Sequence, residues 1–333
     1  MTTPTPRSPI AAAIDLGSNS VHLLVASVTD GKPTVLRDES ELLGLGAVVD
    51  LEGTIPETER REAIDAISTY VALAAADGAD PITLLATEPL RRAANRSRFC
   101  AEVEEAVGRP LHVLSHEEEA LLTLLGVTGG EAPANATLVV DIGGGSTEVV
   151  IYAPDEDPVV GALPVGSARL TGAFIEDDPP TADELAAIRG EARRLTAGLP
   201  VGHPVHGVVV GGSGRNLVRL VEAYDGTRDP AIDTLADGAI DARLIERAFA
   251  IVAADPASEL LARTGLRERR IRQMAAGAAL IEAVMLEYHL ERLAVSDASL
   301  REGVIVAIAL AGDAWREHLE ALGGFRSTGP LAR

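Results

Sequence analysis

The sequence predicts an α/β protein built from two similar halves, each a mixed five-stranded sheet with flanking helices. Apolar runs of strand length alternate with longer segments of helical periodicity. A strand that ends in aspartate and runs into a turn of small residues occurs twice, at Asp15 and at Asp141. A length of 333 residues also favours two domains.

The first copy of this pattern opens the chain. Residues 11–14 are apolar, Asp15 follows, and a second strand begins near Ser20. Strands are predicted at about 11–16, 20–29 and 33–40, and Asp30-Gly31 is predicted as the hairpin turn between the last two. The turn that would contact an anion consists of Gly17, Ser18, Asn19 and Ser20.

The second copy carries an acid at each end, Asp141 and Glu148. Glycines allow positive φ and close approach of backbone amides to a ligand, and successive amides in a turn bind anions. Acids beside a phosphate predict an intervening Mg²⁺, which prefers carboxylate, water and phosphate oxygens. By itself the stretch is equally consistent with a glycine-rich hairpin and two solvated acids. The residues between the acids that would face the phosphate are Gly143, Gly144, Gly145, Ser146 and Thr147.

The remaining elements of the first half follow from periodicity. An irregular connection is expected over 39–56. Helices are expected over 57–75 and 96–107, and strands over 81–86 and 111–114.

Charged side chains follow two of the strands predicted for this first half. Arg91 comes just after the strand that ends at Ala86, where ligands collect in doubly wound sheets, and its planar fork suits phosphate oxygens. Its neighbour Arg92 is expected to be solvated. Ser115 and Glu118 form a capping box at the start of the next helix, which accounts for Glu118 without any catalytic role.

The second half is predicted to contain strands at about 137–141, 146–152, 158–163, 207–210 and 293–295. Helices are expected after Gly166 and over 181–197, 216–224, 241–253, 257–263, 274–288 and 303–314, with Thr181 and Glu184 as a second capping box. The expected domains are 1–128, completed by a returning segment 304–333, and 129–303.

A third glycine turn, at residues 211–214, leads from a strand into a helix. A helix N-terminus after such a turn is a ready anion site, so Gly212 and Ser213 are candidate phosphate contacts. A plain strand-to-helix turn is the equal alternative.

The net charge of −21 argues against non-specific binding to nucleic acid or membrane. It also means that a polyanion would need a locally positive site. Arginines supply the candidates, since Lys32 is the single lysine. The clusters are Arg91, Arg92, Arg96 and Arg98; Arg169, Arg215 and Arg219; and Arg267, Arg269, Arg270 and Arg272.

Several features point away from secretion, membranes and cysteine chemistry. Cys100 is the single cysteine, so no intrachain disulfide forms. Residues 1–9 lack an apolar signal core, and no run of about 18 apolar residues occurs, so a cytoplasmic location is expected. His203 and His206 resemble a metal pair, but no further Cys or His is nearby, and a structural or solvated role is expected.

Five stretches together resemble the exopolyphosphatase/guanosine pentaphosphate phosphatase (Ppx/GppA) family. They are Asp15–Ser20, Ala86–Arg91, Ser115–Ala120, Asp141–Glu148 and Ser296–Gly303, in the family's order. The two-half plan resembles the actin-like ATPase (RNase H-like) superfamily, which implies an active-site cleft between the halves. Longer members of the family carry a further helical HD-type domain, which is not expected here.

The resemblance implies roles for particular residues. Glu119 occupies the place of the family's catalytic base, and Arg91 lines its phosphate site. Asp141 and Glu148, with Asp15, would hold Mg²⁺, for which Mn²⁺ is the alternative. A substrate channel would include Arg169, Arg215, Arg267 and Arg301.

Two positions depart from the family pattern. Arg215 stands where threonine is usual, which puts the local contact in doubt, and Ala298 replaces a glycine. Asp297 matches the pattern, although an N-cap role for the next helix explains it equally well.

The expected reaction is hydrolysis of the terminal phosphoanhydride of inorganic polyphosphate by an in-line water. Hydrolysis of guanosine pentaphosphate (pppGpp) is the near alternative, because the family does both. A sugar- or acid-kinase-like ATPase and a non-catalytic polyphosphate or alarmone sensor are more distant alternatives. Homodimerisation is common in such folds, but no interface signature is evident.

Overall fold

The computed structural model describes residues 10–29, 32–227 and 238–324, and the chain divides into two compact units. Unit 1 extends to Ala132 and resumes at Leu300, and unit 2 runs from Pro133 to Ser299. The turn predicted at Asp30-Gly31 lies outside the described residues.

Unit 1 is built on a five-stranded sheet of order β3-β2-β1-β4-β5. The strands β1, β2 and β3 form an antiparallel meander, and β4 and β5 continue the sheet parallel to β1. The strands are β1 Ile10–Leu16, β2 Ser20–Thr29, β3 Lys32–Leu42, β4 Ile82–Ala86 and β5 Leu111–Val113. The carboxyl ends of β1, β4 and β5 therefore lie at the same edge of the sheet.

The helices of unit 1 come from both ends of the chain. They are α1 Leu45–Glu52, α2 Glu57–Ala76, α3 Glu88–Arg92, α4 Arg96–Val107, α5 His116–Thr128, α13 Leu300–Ala311 and α14 Trp315–His318, with 3₁₀ turns at Gly312–Ala314 and Leu319–Gly324. The core is aliphatic, as the 3% aromatic content requires.

The irregular connection predicted over 39–56 is wrong. Strand β3 continues to Leu42, and α1 then occupies Leu45–Glu52. The glycines that suggested irregularity serve close packing instead. A Cβ on Gly46 would lie 2.8 Å from Ser18 Cβ, and the Gly46 amide donates to the Ser18 carbonyl at 2.8 Å. Helix α1 thus supports the turn after β1.

Helix α13 packs directly against α5. The two helices lie very close together at Gly303, where an added Cβ would lie only 1.8 Å from the Leu122 carbonyl oxygen. This contact fixes the middle of α5, the helix whose first turn carries Glu119.

Unit 2 repeats the order of unit 1 and adds one strand. Its sheet has the order β10-β11-β9-β6-β7-β8, in which β8-β7-β6-β9-β11 matches β3-β2-β1-β4-β5 in order and direction. The strands are β6 Thr137–Ile142, β7 Thr147–Tyr152, β8 Val159–Leu163, β9 His206–Val210, β10 Ala239–Asp241 and β11 Arg292–Val295. The sheet has six strands rather than the predicted five, because β10 pairs antiparallel with β11 at the edge.

The helices of unit 2 surround an apolar core centred on α12. They are α6 Ser167–Phe174, α7 Ala182–Thr196, α8 Gly211–Asp225, α9 Ala242–Ala254, α10 Ala257–Thr264, α11 Glu268–Arg272 and α12 Met274–Glu287. The prediction of a separate glycine turn at 211–214 is wrong, because these residues form the first turn of α8. In the described ranges, no helix combines the length and hydropathy needed to cross a membrane.

Candidate active site

The two Asp–turn–strand segments are structural copies of each other. The Gly17 amide donates to the Ser20 carbonyl at 3.0 Å, and the Gly143 amide donates to the Ser146 carbonyl at the same distance. In the strand register, Asp141 lies opposite Glu148. The equivalent partner of Asp15 is His22, so the second acid is present in unit 2 alone.

Each turn leaves backbone amides without a partner. The amides of Ser18 and Asn19 in unit 1, and those of Gly144 and Gly145 in unit 2, make no hydrogen bond within the described ranges. Two successive amides without partners in a tight turn form an anion-binding concavity. None of the three glycines of the second turn adopts a positive φ, so their role is the close approach of the backbone.

Carbonyl oxygens of the second turn are held by the segment that follows β8. Ser167 N donates to Gly143 O, and Ala168 N donates to Gly144 O, both at 2.9 Å. The Thr147 hydroxyl donates to the Val165 carbonyl at 2.9 Å. These bonds use the first amides of α6 and fix the backbone of the turn, so its own unpaired amides are preorganised.

The carboxylates of unit 2 lie beside this turn. Glu148 is 2% exposed. Burial raises the pKa of Asp141 to about 6, although Arg215 acts in the opposite direction. Gly211 permits this placement, since it has a φ of +83° and a Cβ there would lie 2.8 Å from Asp141 Oδ1. Buried carboxylates of this kind are able to hold a metal ion, which would offset the cost of their burial.

Arg91 and Glu119 form a buried ion pair in unit 1. Arg91 Nη1 donates to Glu119 Oε2 at 2.6 Å and to the Leu114 carbonyl at 3.0 Å. The two side chains are 13% and 10% exposed. Arg91 follows β4 and Glu119 follows β5, and these parallel neighbours bring both residues to one edge of the sheet. The sequence placed each of them at a strand end, but it did not predict their contact.

The start of α5 is fixed by the predicted capping box. Ser115 Oγ accepts from the Glu118 amide at 3.1 Å, and Glu118 Oε2 accepts from the Ser115 amide at 2.7 Å. Arg316 also donates to Glu118, at 2.5 Å. The structural interpretation of Glu118 is therefore confirmed, as is the second capping box, at Thr181.

Several arginines differ from expectation. Arg92 is not solvated, because it pairs with Glu88 and, at 2.7 Å, with Asp50. Arg301, a predicted channel residue, is largely buried within unit 1. Its side chain is 9% exposed and pairs with Asp38 at 2.6 Å, so it ties α13 to β3.

The channel candidates of unit 2 have different surroundings. Arg169 donates to the Pro164 carbonyl, and Arg267 is exposed just before α11. Arg215 lies 3.6 Å from Asp297. Since α13 begins three residues after Asp297, an N-cap role for Asp297 is wrong.

Gly212 and Ser213 lie at the start of α8 beside Arg270. A Cβ on Gly212 would lie 3.2 Å from Arg270 Nη1, and the Ser213 hydroxyl donates to the Ile142 carbonyl at 2.9 Å. Burial lowers the pKa of Arg270, and neighbouring arginines lower it further. Gln273 lines the same small cavity. The sequence placed Arg270 in a basic cluster without indicating this position.

Two histidines of unit 1 that lie near candidate site residues were not assigned a role from the sequence. His22 Nε2 lies 2.6 Å from Ser20 Oγ. His116 is the first residue of α5, and the helical spacing of His116 to Glu119 was the signal that could have identified it.

His203 and His206 are exposed, and Cys100 is half-buried on α4 with a pKa raised by burial.

Comparison with known proteins identifies related sequences over most of the chain. The model of the Ppx/GppA phosphatase family matches residues 24–311. Exopolyphosphatase 1 of Mycobacterium tuberculosis is 29% identical over 300 residues, which cover 88% of this chain and 86% of that protein. A guanosine-5'-triphosphate,3'-diphosphate pyrophosphatase of Vibrio vulnificus is 32% identical over 189 residues, 56% of this chain and 38% of that protein.

Solved structures match in fold. A Ppx/GppA protein of Aquifex aeolicus has a TM-score of 0.77 and 29% identity, covering 92% of this chain and 99% of that one. An exopolyphosphatase of Cytophaga hutchinsonii has a TM-score of 0.79 at 22% identity, covering 90% and 97%. The fold class predicted from the sequence is thus confirmed.

Proposed function

Because the chain belongs to the Ppx/GppA phosphatase family, we propose that it is an exopolyphosphatase, which hydrolyses the terminal phosphoanhydride of inorganic polyphosphate and releases orthophosphate. The observation that carries this proposal is the similarity to Exopolyphosphatase 1, which extends over most of both chains. The geometry of the two glycine-containing turns supports it, since each offers unpaired amides to an anion.

In this proposal the two turns bind phosphate oxygens. The amides of Ser18 and Asn19, and those of Gly144 and Gly145, donate to them, and the side chains of Ser20, Ser146 and Thr147 support the turns. These amides are fixed before substrate arrives, so little reorganisation is needed during the reaction.

Glu119 is the proposed general base. Its carboxylate orients the attacking water and takes its proton at a carboxylate oxygen as the bond from water to phosphorus forms. The ion pair with Arg91 holds the carboxylate in place. The Arg91 guanidinium has N–H groups besides Nη1, and these would contact the phosphate and offset its charge.

Asp141 and Glu148 are the proposed residues for Mg²⁺, with Mn²⁺ as the alternative, and Asp15 is a further candidate. The carboxylates of Asp141 and Glu148 fit such an ion, since a bound cation would offset the desolvation that raises the pKa of Asp141. When bound, the ion supplies positive charge that neutralises the phosphate oxygens.

Hydrolysis of pppGpp is the second candidate. The Vibrio vulnificus relative favours it, but that similarity covers only 38% of the relative's length. The net charge of −21 supports an enzyme that binds neither nucleic acid nor membranes non-specifically, and we propose a cytoplasmic location with polyphosphate as the substrate.

Phosphate release from polyphosphates of defined length, beside pppGpp, ATP and ADP, tests the proposal. We expect kcat/KM for polyphosphate to exceed that for pppGpp by about tenfold or more, which corresponds to about 1.4 kcal/mol of transition-state discrimination. A preference for pppGpp would select the second candidate. Turnover that requires an added hydroxyl acceptor would instead indicate a kinase.

A further inference from the structure

Arg316, on α14, joins the end of β5 to the first turn of α5. Its Nη2 donates to the Val113 carbonyl at 3.3 Å and to Glu118 Oε2 at 3.0 Å. Its Nε donates to Glu118 Oε1 at 2.5 Å, so the guanidinium contacts both carboxylate oxygens. Paired contacts of this kind fix the relative orientation of the two groups as well as their distance. A side chain of α14 therefore spans the connection that leads into the helix of Glu119.

Arg91 spans the same connection through the adjacent residues, Leu114 and Glu119. Arg316 contacts the residue that precedes each of these two. The side chains of Arg91 and Glu119 are largely buried, whereas those of Arg316 and its glutamate partner are 38% and 23% exposed. The buried ion pair is thus accompanied by a second arginine–glutamate pair nearer the surface.

The position of Arg316 is set by its neighbour Trp315. Trp315 is 4% exposed, and its ring meets the His112 ring edge-on at a centroid distance of 6.4 Å. Arg316 Nη1 lies 3.3 Å from His112 Nδ1. His112 belongs to β5, so both residues of α14 contact the strand that precedes α5. This anchoring places the guanidinium where it reaches the first turn of the helix.

Glu118 is the charged group that links Arg316 to this turn. Burial acts to raise the pKa of Glu118, but hydrogen bonds from Arg316 and from the Ser115 amide lower it below its usual value overall. The carboxylate is therefore ionised at neutral pH and accepts charge-assisted bonds from Arg316. An ion pair with this exposure contributes little to the stability of a protein. Loss of the pair should therefore displace the turn more than it destabilises the fold.

We propose that Arg316 is a positioning residue for the general base Glu119. It acts through Glu118, the preceding residue, and holds the first turn of α5 against β5. A base must lie within hydrogen-bond reach of the water that it orients, and a misplacement of about 1 Å costs up to about 10²-fold in rate. Within the described ranges, none of the hydrogen bonds of Arg316 goes to a phosphate-binding turn. The inference rests on the proposed function, in which Glu119 is the base.

Steady-state phosphate release from polyphosphate tests this role. Arg316→Gln should lower kcat by about fivefold or more and change KM by less than about twofold, because it displaces the base and leaves the anion-binding turns in place. Its Tm should fall by less than about 4 °C. Arg61→Gln is the matched control, since it breaks an exposed arginine–glutamate pair on α2, and its kcat should match that of the wild type. An unchanged kcat in Arg316→Gln, or a loss that appears in KM instead, would overturn the inference.

A second variant shows whether Arg316 acts through Glu118. Glu118→Gln keeps the capping box, because glutamine also serves at this position, and it removes the charge that Arg316 contacts. The two single variants and the double variant should therefore lower kcat by the same factor. Losses that multiply in the double variant would show that Arg316 acts independently of Glu118, which contradicts the proposal.

Hydrogen exchange makes the test independent of turnover. In Arg316→Gln, the amides of residues 118–121 should exchange faster by about threefold or more, while those of α12 in unit 2 keep the wild-type rate. Unchanged exchange over 118–121 would refute this inference alone. Faster exchange there, in a protein that releases no phosphate from polyphosphate, would refute the proposed function and leave intact the role of Arg316 in holding α5.

Discussion

Replacing Asp141 with asparagine should stabilise the metal-free protein at neutral and alkaline pH while it abolishes metal binding at this position. Asp141 is half-buried, and desolvation of its carboxyl raises the pKa from 3.8 to about 6. Asparagine has nearly the same shape and cannot ionise. The variant therefore removes the cost of a buried carboxylate and leaves the fold in place.

The sign follows from proton binding in the two states. Well below the unfolded pKa of 3.8, the carboxyl is protonated in both the folded and the unfolded protein. Between pH 4 and pH 6 the unfolded chain loses this proton while the folded protein keeps it, so the free energy of unfolding falls as pH rises. A shift of about two pKa units at about 1.4 kcal/mol each gives a loss of about 3 kcal/mol, which persists above pH 6.

The assay is thermal unfolding of both proteins in EDTA at pH 4 and pH 8, followed by circular dichroism. At pH 8, Asp141→Asn should raise the Tm of unit 2 by roughly 2–4 °C per kcal/mol for a unit of this size, or about 6–12 °C in all. At pH 4 the difference should shrink to below about 1 kcal/mol, because most of the unfolded-state ionisation occurs above that pH. A stability difference that is the same at both pH values would refute the reasoning. Added Mg²⁺ should stabilise the wild type and not the variant.

Three further variants test the remaining parts of the structure. Glu119→Gln should lower kcat for phosphate release by about 10²-fold or more, measured in steady state, and near-normal turnover would exclude Glu119 as the base. Gly303→Ala should destabilise unit 1 by several kcal/mol in denaturant titration, since the new methyl group would overlap the Leu122 carbonyl, and a change below about 1 kcal/mol would contradict this packing. Ser115→Ala should cost about 1 kcal/mol through loss of the bond to the Glu118 amide, and an unchanged denaturation midpoint would argue against the cap.

Much of the fold was predictable because its signals are local. Capping boxes lie within four residues, so Ser115 and Thr181 identified the helix starts correctly. The repeat at Asp15 and Asp141 revealed the duplication, since each copy follows a buried strand. The order of the strands in the two sheets then repeated as well.

Two of the errors arose where glycine had a tertiary role. Gly46 was interpreted as a sign of irregular chain, but it lies in a helix and lets that helix approach Ser18. Residues 211–214 were interpreted as a turn, but Gly211 begins a helix and makes room for the carboxylate of Asp141. The sequence shows the same residue whether a glycine lies in an irregular loop or in a closely packed helix. Which atoms pack against that glycine depends on residues distant along the chain.

The sequence by itself determined which residue types stand at the strand ends, and so which residues are candidates for the chemistry. It placed Arg91 and Glu119 after separate strands, but only the tertiary structure decided that they pair. It offered Arg301 as a channel residue, and the structure buried it against Asp38. Periodicity fixes where a side chain lies along its own element. Its partner is fixed by the packing of elements far apart in the chain, and no local pattern records that packing.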